Sequence, residues 1–110
     1  MKYRVLGRTG VRVSELCLGT MTFGAEADER TAQAMYAAAR ERGINFFDCA
    51  NTYAGGRAEE ILGRLMTSER DQLVIASKTY NAIGKDINST GSSRRYLKLA
   101  AEQSLKRLGT

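Results

Sequence analysis

The sequence contains no histidine, and its two cysteines, Cys17 and Cys49, stand far apart with no CxxC pairing. Those absences leave no His/Cys set of the kind that holds zinc or haem, and no imidazole for a His-based catalytic triad. A metal-dependent enzyme is therefore not expected, and no metal ligands are assigned. No apolar run approaches the roughly 18 residues of a membrane span, and Met1-Lys2-Tyr3-Arg4 leads into no greasy stretch like that of a signal peptide. A cytoplasmic protein without a membrane partner is the expectation. Proline is absent altogether, and no low-complexity segment or interdomain linker appears. Basic residues are in excess, 17 Lys and Arg against 12 Asp and Glu, for a net charge of +5. They form no arm, however: the acidic residues interleave with them, and Arg94-Arg95 is the longest basic run. That mixed pattern fits solvated helix faces and argues against a nucleic-acid partner.

What is present is the composition of one globular domain: 110 residues, 43% apolar and 26% charged. Residues 1–14 read as a β-hairpin, with strand-like runs Tyr3–Leu6 and Val11–Ser14 around the turn Gly7-Arg8-Thr9-Gly10. Leu16-Cys17-Leu18 reads as a buried strand that emerges at Gly19-Thr20. Asp28 is a suitable N-cap for a helix whose Ala32, Met35, Tyr36 and Ala39 share one face, with Gly43 at its stop. Ile44–Phe47 follows as a strand that delivers Asp48 to its C-terminal end. Ala58, Ile61, Leu62 and Leu65 repeat the helical stripe, and Leu73–Ala76 is a third buried strand with Lys78 just past it. Residues 79–92 are too polar and glycine-broken for regular structure. Ser92 is expected to cap a last helix lined by Leu97, Ala100, Ala101, Ser104, Leu105 and Leu108, which Gly109 ends. Both cysteines are expected to be buried thiols serving as small apolar residues.

This order, a hairpin and then strand–helix three times, implies an α/β fold with parallel strands and right-handed crossovers. Thr20, Asp48 and Lys78 recur at intervals of 28 and 30 residues, about one βα unit. The C-terminal ends of parallel strands share one rim, where such folds carry their sites, so Asp48, Tyr53 and Lys78 should converge there. The combination suits proton donation. A phenol titrates near pKa 10, a neighbouring ammonium favours its ionised form, and a carboxylate keeps that ammonium charged and aimed.

These residues resemble the aldo-keto reductase family along the whole chain. Lys2–Gly10 looks like the family's barrel-bottom hairpin, and Gly19-Thr20-Met21-Thr22-Phe23-Gly24 like its segment after the first strand. Phe47-Asp48-Cys49-Ala50-Asn51-Thr52-Tyr53 is similar to its D-x-A-x-x-Y signature, Gly56 to Glu59 to the G-x-x-E that follows, and Ser77-Lys78 to the end of its third strand. The resemblance implies a (β/α)8 TIM barrel, of which residues 1–110 would be the N-terminal part: the hairpin over 1–14 and the first three βα units over 15–110. It implies an oxidoreductase that reduces aldehyde or ketone carbonyls with NADPH. Tyr53 would be the general acid, Lys78 its partner and Asp48 the anchor of the lysine. Gly19, Thr20, Met21 and Asp48 would border NADP(H), and the partner would be a small-molecule carbonyl substrate. A non-catalytic regulatory subunit on the same scaffold, as in potassium-channel accessory subunits, is the alternative. The sequence departs from the family pattern at Cys49, where threonine is usual, at Ala54 for glycine and at Ala58 for serine. The family's fourth-strand histidine and later cofactor-gripping segments would lie beyond Thr110, so a longer reductase is expected.

Overall fold

A computed structural model describes residues 1–110. Its element order is β1 (Tyr3–Val5), β2 (Arg12–Ser14), β3 (Leu18–Gly19), α1 (Glu29–Glu41), β4 (Phe46–Asp48), α2 (Arg57–Met66), β5 (Val74–Ala76) and α3 (Arg94–Leu108). Strands β1 and β2 form an antiparallel hairpin, while β3, β4 and β5 pair in that order as a parallel sheet. Each parallel step crosses over through a helix, as the alternating pattern requires.

Side chains alternate across the sheet, so the register decides which residues meet the helices. Leu18, Phe47 and Ile75 are aligned in one row, and this row faces the core. Phe47 is fully buried against α1, where its ring stacks on Tyr36 at 5.2 Å. Ile61, Leu62 and Met66 of α2 close the same core. Each such side chain contributes about 1.5–3 kcal/mol by leaving water. The next row, Gly19, Asp48 and Ala76, points to the opposite, uncovered face.

The helix ends follow local chemistry. Asp28 accepts from the Thr31 N–H at 2.8 Å and opens α1, an arrangement that holds its carboxyl below the usual carboxylate range. Tyr36 and Arg40 on α1 converge on Glu69, which accepts from the tyrosine hydroxyl at 2.5 Å and from both Nε and Nη2 of the guanidinium. The hairpin lies at the far end from the strand C-termini. Tyr3 donates to Gly43 O, and the Asn45 side chain accepts from the Ser14 N–H and donates to Arg12 O.

Four expectations are corrected. Ser93, not Ser92, caps α3, because its hydroxyl is the one that accepts from the Tyr96 N–H. Cys17 is exposed, since it stands on the uncovered face of the sheet; Cys49 is buried. The first parallel strand is two residues long and begins at Leu18, after a bend at Glu15-Leu16. On α3 the buried residues are Tyr96, Ala100 and Leu108, while Leu97, Ala101 and Leu105 are exposed. With Ile75 they border an open groove of about 480 Å³ beside β5. No helix is long and apolar enough to cross a membrane.

Candidate functional site

Asp48 is the last residue of β4, and Lys78 follows β5 by two residues. The strand ladder continues past both, with the Cys49 N–H donating to Ala76 O and the Asn51 N–H to Lys78 O. That continuation fixes the lysine opposite the aspartate. Lys78 Nζ donates to Oδ1 and Oδ2 of Asp48, each at 2.6 Å, and to Cys49 O at 2.7 Å. With the two side chains 48% and 40% exposed, the ion pair itself is worth about 0–1 kcal/mol. Its effect is therefore directional: three acceptors consume the donors of the ammonium and leave it one position.

That position is over Tyr53, whose ring centroid lies 5.1 Å from Nζ. Burial pulls the Lys78 pKa down, but the hydrogen bonds to Asp48 and its negative charge, with a contribution from the nearby Tyr53, outweigh it, and the net direction is up. The amine stays protonated at neutral pH. Tyr53 itself opens a tight turn over Tyr53–Gly56, with its ring packed against the edge of the core. Ala54, Gly55 and Gly56 all take positive φ, at 49°, 65° and 96°. This left-handed run turns the chain back so that α2 starts at once at Arg57. Ala54 is the one non-glycine residue of the chain with positive φ.

The structure thus brings Asp48, Tyr53 and Lys78 together on one rim. The remaining candidates divide. Gly19 is paired in register with Asp48, and nothing lies within 4 Å of where its Cβ would stand. Met21 is 64% exposed. Thr20, by contrast, is fully buried: its hydroxyl and its N–H both donate to Asp48 O, at 3.0 and 2.9 Å, and its carbonyl accepts from the Phe23 N–H, so neither its side chain nor its backbone is open to a ligand. A cavity of about 640 Å³ opens at the rim, bordered by Asn51, Tyr53, Lys78, Thr79 and Tyr80. No group of three or more Cys, Asp or Glu side chains is disposed to hold a metal ion. Chemically, the arrangement sets a phenol, a group able to give up a proton, within 5.1 Å of a held positive charge.

Two residues beneath the rim escaped the sequence reading. Asn51 is buried, donates from Nδ2 to Thr79 Oγ1 at 2.9 Å, and so ties the strand-end loop of Tyr53 to the residue after Lys78. Glu59 belongs to the charges read as solvated, yet it is fully buried, bonded to Ser77 and Arg107. A signal was available for it. Glu59, Leu62, Gly63 and Met66 stand at i, i+3, i+4 and i+7, a second buried stripe of α2 that includes a residue small enough for close helix contact.

Comparison with known proteins shows the family and the fold. The model of the aldo/keto reductase family matches residues 15–110. An uncharacterized oxidoreductase of Bacillus subtilis, YrpG, is 43% identical over 122 residues, covering 100% of this chain and 37% of that protein. A protein of Oryza sativa subsp. japonica named "probable voltage-gated potassium channel subunit beta" is 43% identical over 98% of this chain and 34% of its own length. Among solved structures, an aldo-keto reductase from Bacillus halodurans in its holo form superposes with a TM-score of 0.89 at 34% identity, over 100% of this chain and 37% of that one. The chain spans about a third of the length of the curated relatives it matches.

Proposed function

The chain belongs to the aldo/keto reductase family, and from that premise we propose that it forms the proton-donating corner of a carbonyl reductase that uses NADPH. Residues 1–110 are, on this reading, the hairpin and first three βα units of a longer barrel, whose further strands would cover the inner sheet face and the groove beside β5. The observation that carries the proposal is the lysine held by both oxygens of Asp48 and by Cys49 O while it stands 5.1 Å from the Tyr53 ring.

The residues fit a nicotinamide dinucleotide at its reactive end: the open face at Gly19 leaves room for a flat ring beside Asp48, with the exposed Met21 at its margin. When bound, such a cofactor supplies a hydride. Tyr53 then gives its proton to the carbonyl oxygen as negative charge develops there, and the Lys78 ammonium steadies the phenolate left behind. Asp48 keeps the lysine charged and stops it from swinging toward water. In the reverse direction the same phenolate would take the proton of an alcohol. The substrate is a small aldehyde or ketone whose oxygen reaches the Tyr53 hydroxyl from the rim cavity.

The test is Tyr53→Phe in the protein that carries this chain, assayed by carbonyl-dependent NADPH oxidation. Loss of a general acid predicts a fall of about 10²–10⁴-fold; undiminished turnover would refute the assignment. A second reading, a non-catalytic subunit on the same scaffold, is favoured by the rice relative's name. It predicts no carbonyl-dependent oxidation by the unmodified protein, and so the same assay separates the two.

A further inference from the structure

Resting on the proton-donor reading above, we propose that Glu59 is a positioning residue that sets Lys78 and Tyr53 against one another. Its carboxylate is completely buried under the rim, at the third residue of α2, and each oxygen is committed to a different half of the site. Oε1 accepts from Ser77 Oγ at 2.5 Å, and Ser77 is the residue directly before Lys78. Oε2 accepts from Arg107 Nε at 2.6 Å. That guanidinium stem lies under Gly56, the end of the turn that begins at Tyr53: a Cβ there would stand 3.0 Å from Arg107 Cδ and 3.1 Å from Nε. One buried charge therefore grips the strand end that carries the lysine and, through Arg107, the turn that carries the tyrosine.

A purely structural ion pair would need only the bond between α2 and α3. The Ser77 bond adds nothing to that helix joint, and it reaches the residue next to the ammonium instead. Catalysis by two groups in a fixed relation is sensitive to displacements of an ångström or less, so slack at Ser77 should appear in turnover.

Ser77→Ala in the protein that carries this chain removes one hydroxyl and leaves the Glu59–Arg107 pair intact. Expected are a kcat roughly tenfold lower, a carbonyl KM within about twofold of the parent, and an alkaline limb of the pH–rate profile moved to lower pH as Lys78 loses its fixed place beside Asp48. Ser77→Thr, which keeps the hydroxyl, should restore all three. Glu59→Gln should reproduce the Ser77→Ala profile wherever it folds, and the serine pair carries the test if it does not. Unchanged kcat and pH profile in Ser77→Ala, with or without a lower melting temperature, would overturn the positioning role while Tyr53→Phe still abolishes turnover. Full activity in Tyr53→Phe would instead overturn the underlying reading, whatever Ser77→Ala does.

Discussion

Replacing Ala54 by glycine should stabilise the protein even though it removes a side chain. Ala54 sits at φ 49° and ψ 37°, in the left-handed region, immediately after Tyr53. An L-residue pays about 1–2 kcal/mol there because its Cβ crowds the following carbonyl, and glycine does not. Against this, glycine adds freedom to the unfolded chain, an effect of about 0.4–1 kcal/mol. The methyl group of Ala54 is exposed, so its loss leaves no cavity. The difference is a net gain of about 0.5–1 kcal/mol for Ala54→Gly. Asparagine visits this region more readily than alanine, whereas a β-branched side chain is a true outlier in it. The expected order of stability at this position is therefore Gly, then Asn, then Ala, then Val. Equilibrium urea unfolding of the four proteins measures it, with a common slope showing that only the midpoint has moved. A glycine variant with a lower midpoint than the parent, or a valine variant above it, would show that the turn is not strained and that Tyr53 is held by other means.

Gly63→Ala should act in the opposite direction although alanine is the better helix former. A Cβ at Gly63 would stand 2.6 Å from Leu108 O and 2.9 Å from Arg107 O, backbone atoms that can yield only if α3 shifts, so a loss of about 1–3 kcal/mol in the same unfolding assay is expected. Acid should weaken the joint at Glu69. The bonds from Arg40, with that of Tyr36, outweigh burial and hold its carboxyl below the ordinary value of 4.5. A depressed carboxyl contributes stability that is fully present above the unfolded pKa and is lost as pH falls through the folded one. Glu69→Gln should thus be less stable than the parent at pH 7, with the gap narrowing below about pH 4 in thermal melts taken across pH. Asp48→Asn removes the charge that helps keep Lys78 protonated, so the alkaline limb of turnover should begin at lower pH, with kcat/KM down roughly tenfold, ~1.4 kcal/mol. An unmoved limb would mean that Asp48 does not govern the lysine.

The parts of this molecule that were legible in the sequence are those set by neighbours along the chain. Asp28 and Gly43 bracket α1 by cap chemistry alone, and the spacing of Ala58, Ile61 and Leu62 assigns a face to α2. Strand ends one βα unit apart were enough to bring Asp48, Tyr53 and Lys78 to one rim, because a parallel sheet leaves them nowhere else to go. What escaped depends on partners distant in sequence or on a choice between equals. Ser92 and Ser93 are equally good caps, and only the place of the Tyr96 N–H separates them. Cys17 reads as apolar and buried, yet the sheet has two faces, and its burial hangs on what lies over the inner one. Leu97 and Leu105 continue a correct helical stripe, but α3 turns Tyr96, Ala100 and Leu108 inward, and the stripe's other half borders the groove beside β5. Glu59 is the most instructive case, since a carboxylate in a charged helix reads as solvated until Arg107, 48 residues later, is known to meet it. The trio proposed to donate the proton can therefore be found from local pattern, while the buried network that would hold it in register is written only in the tertiary fold.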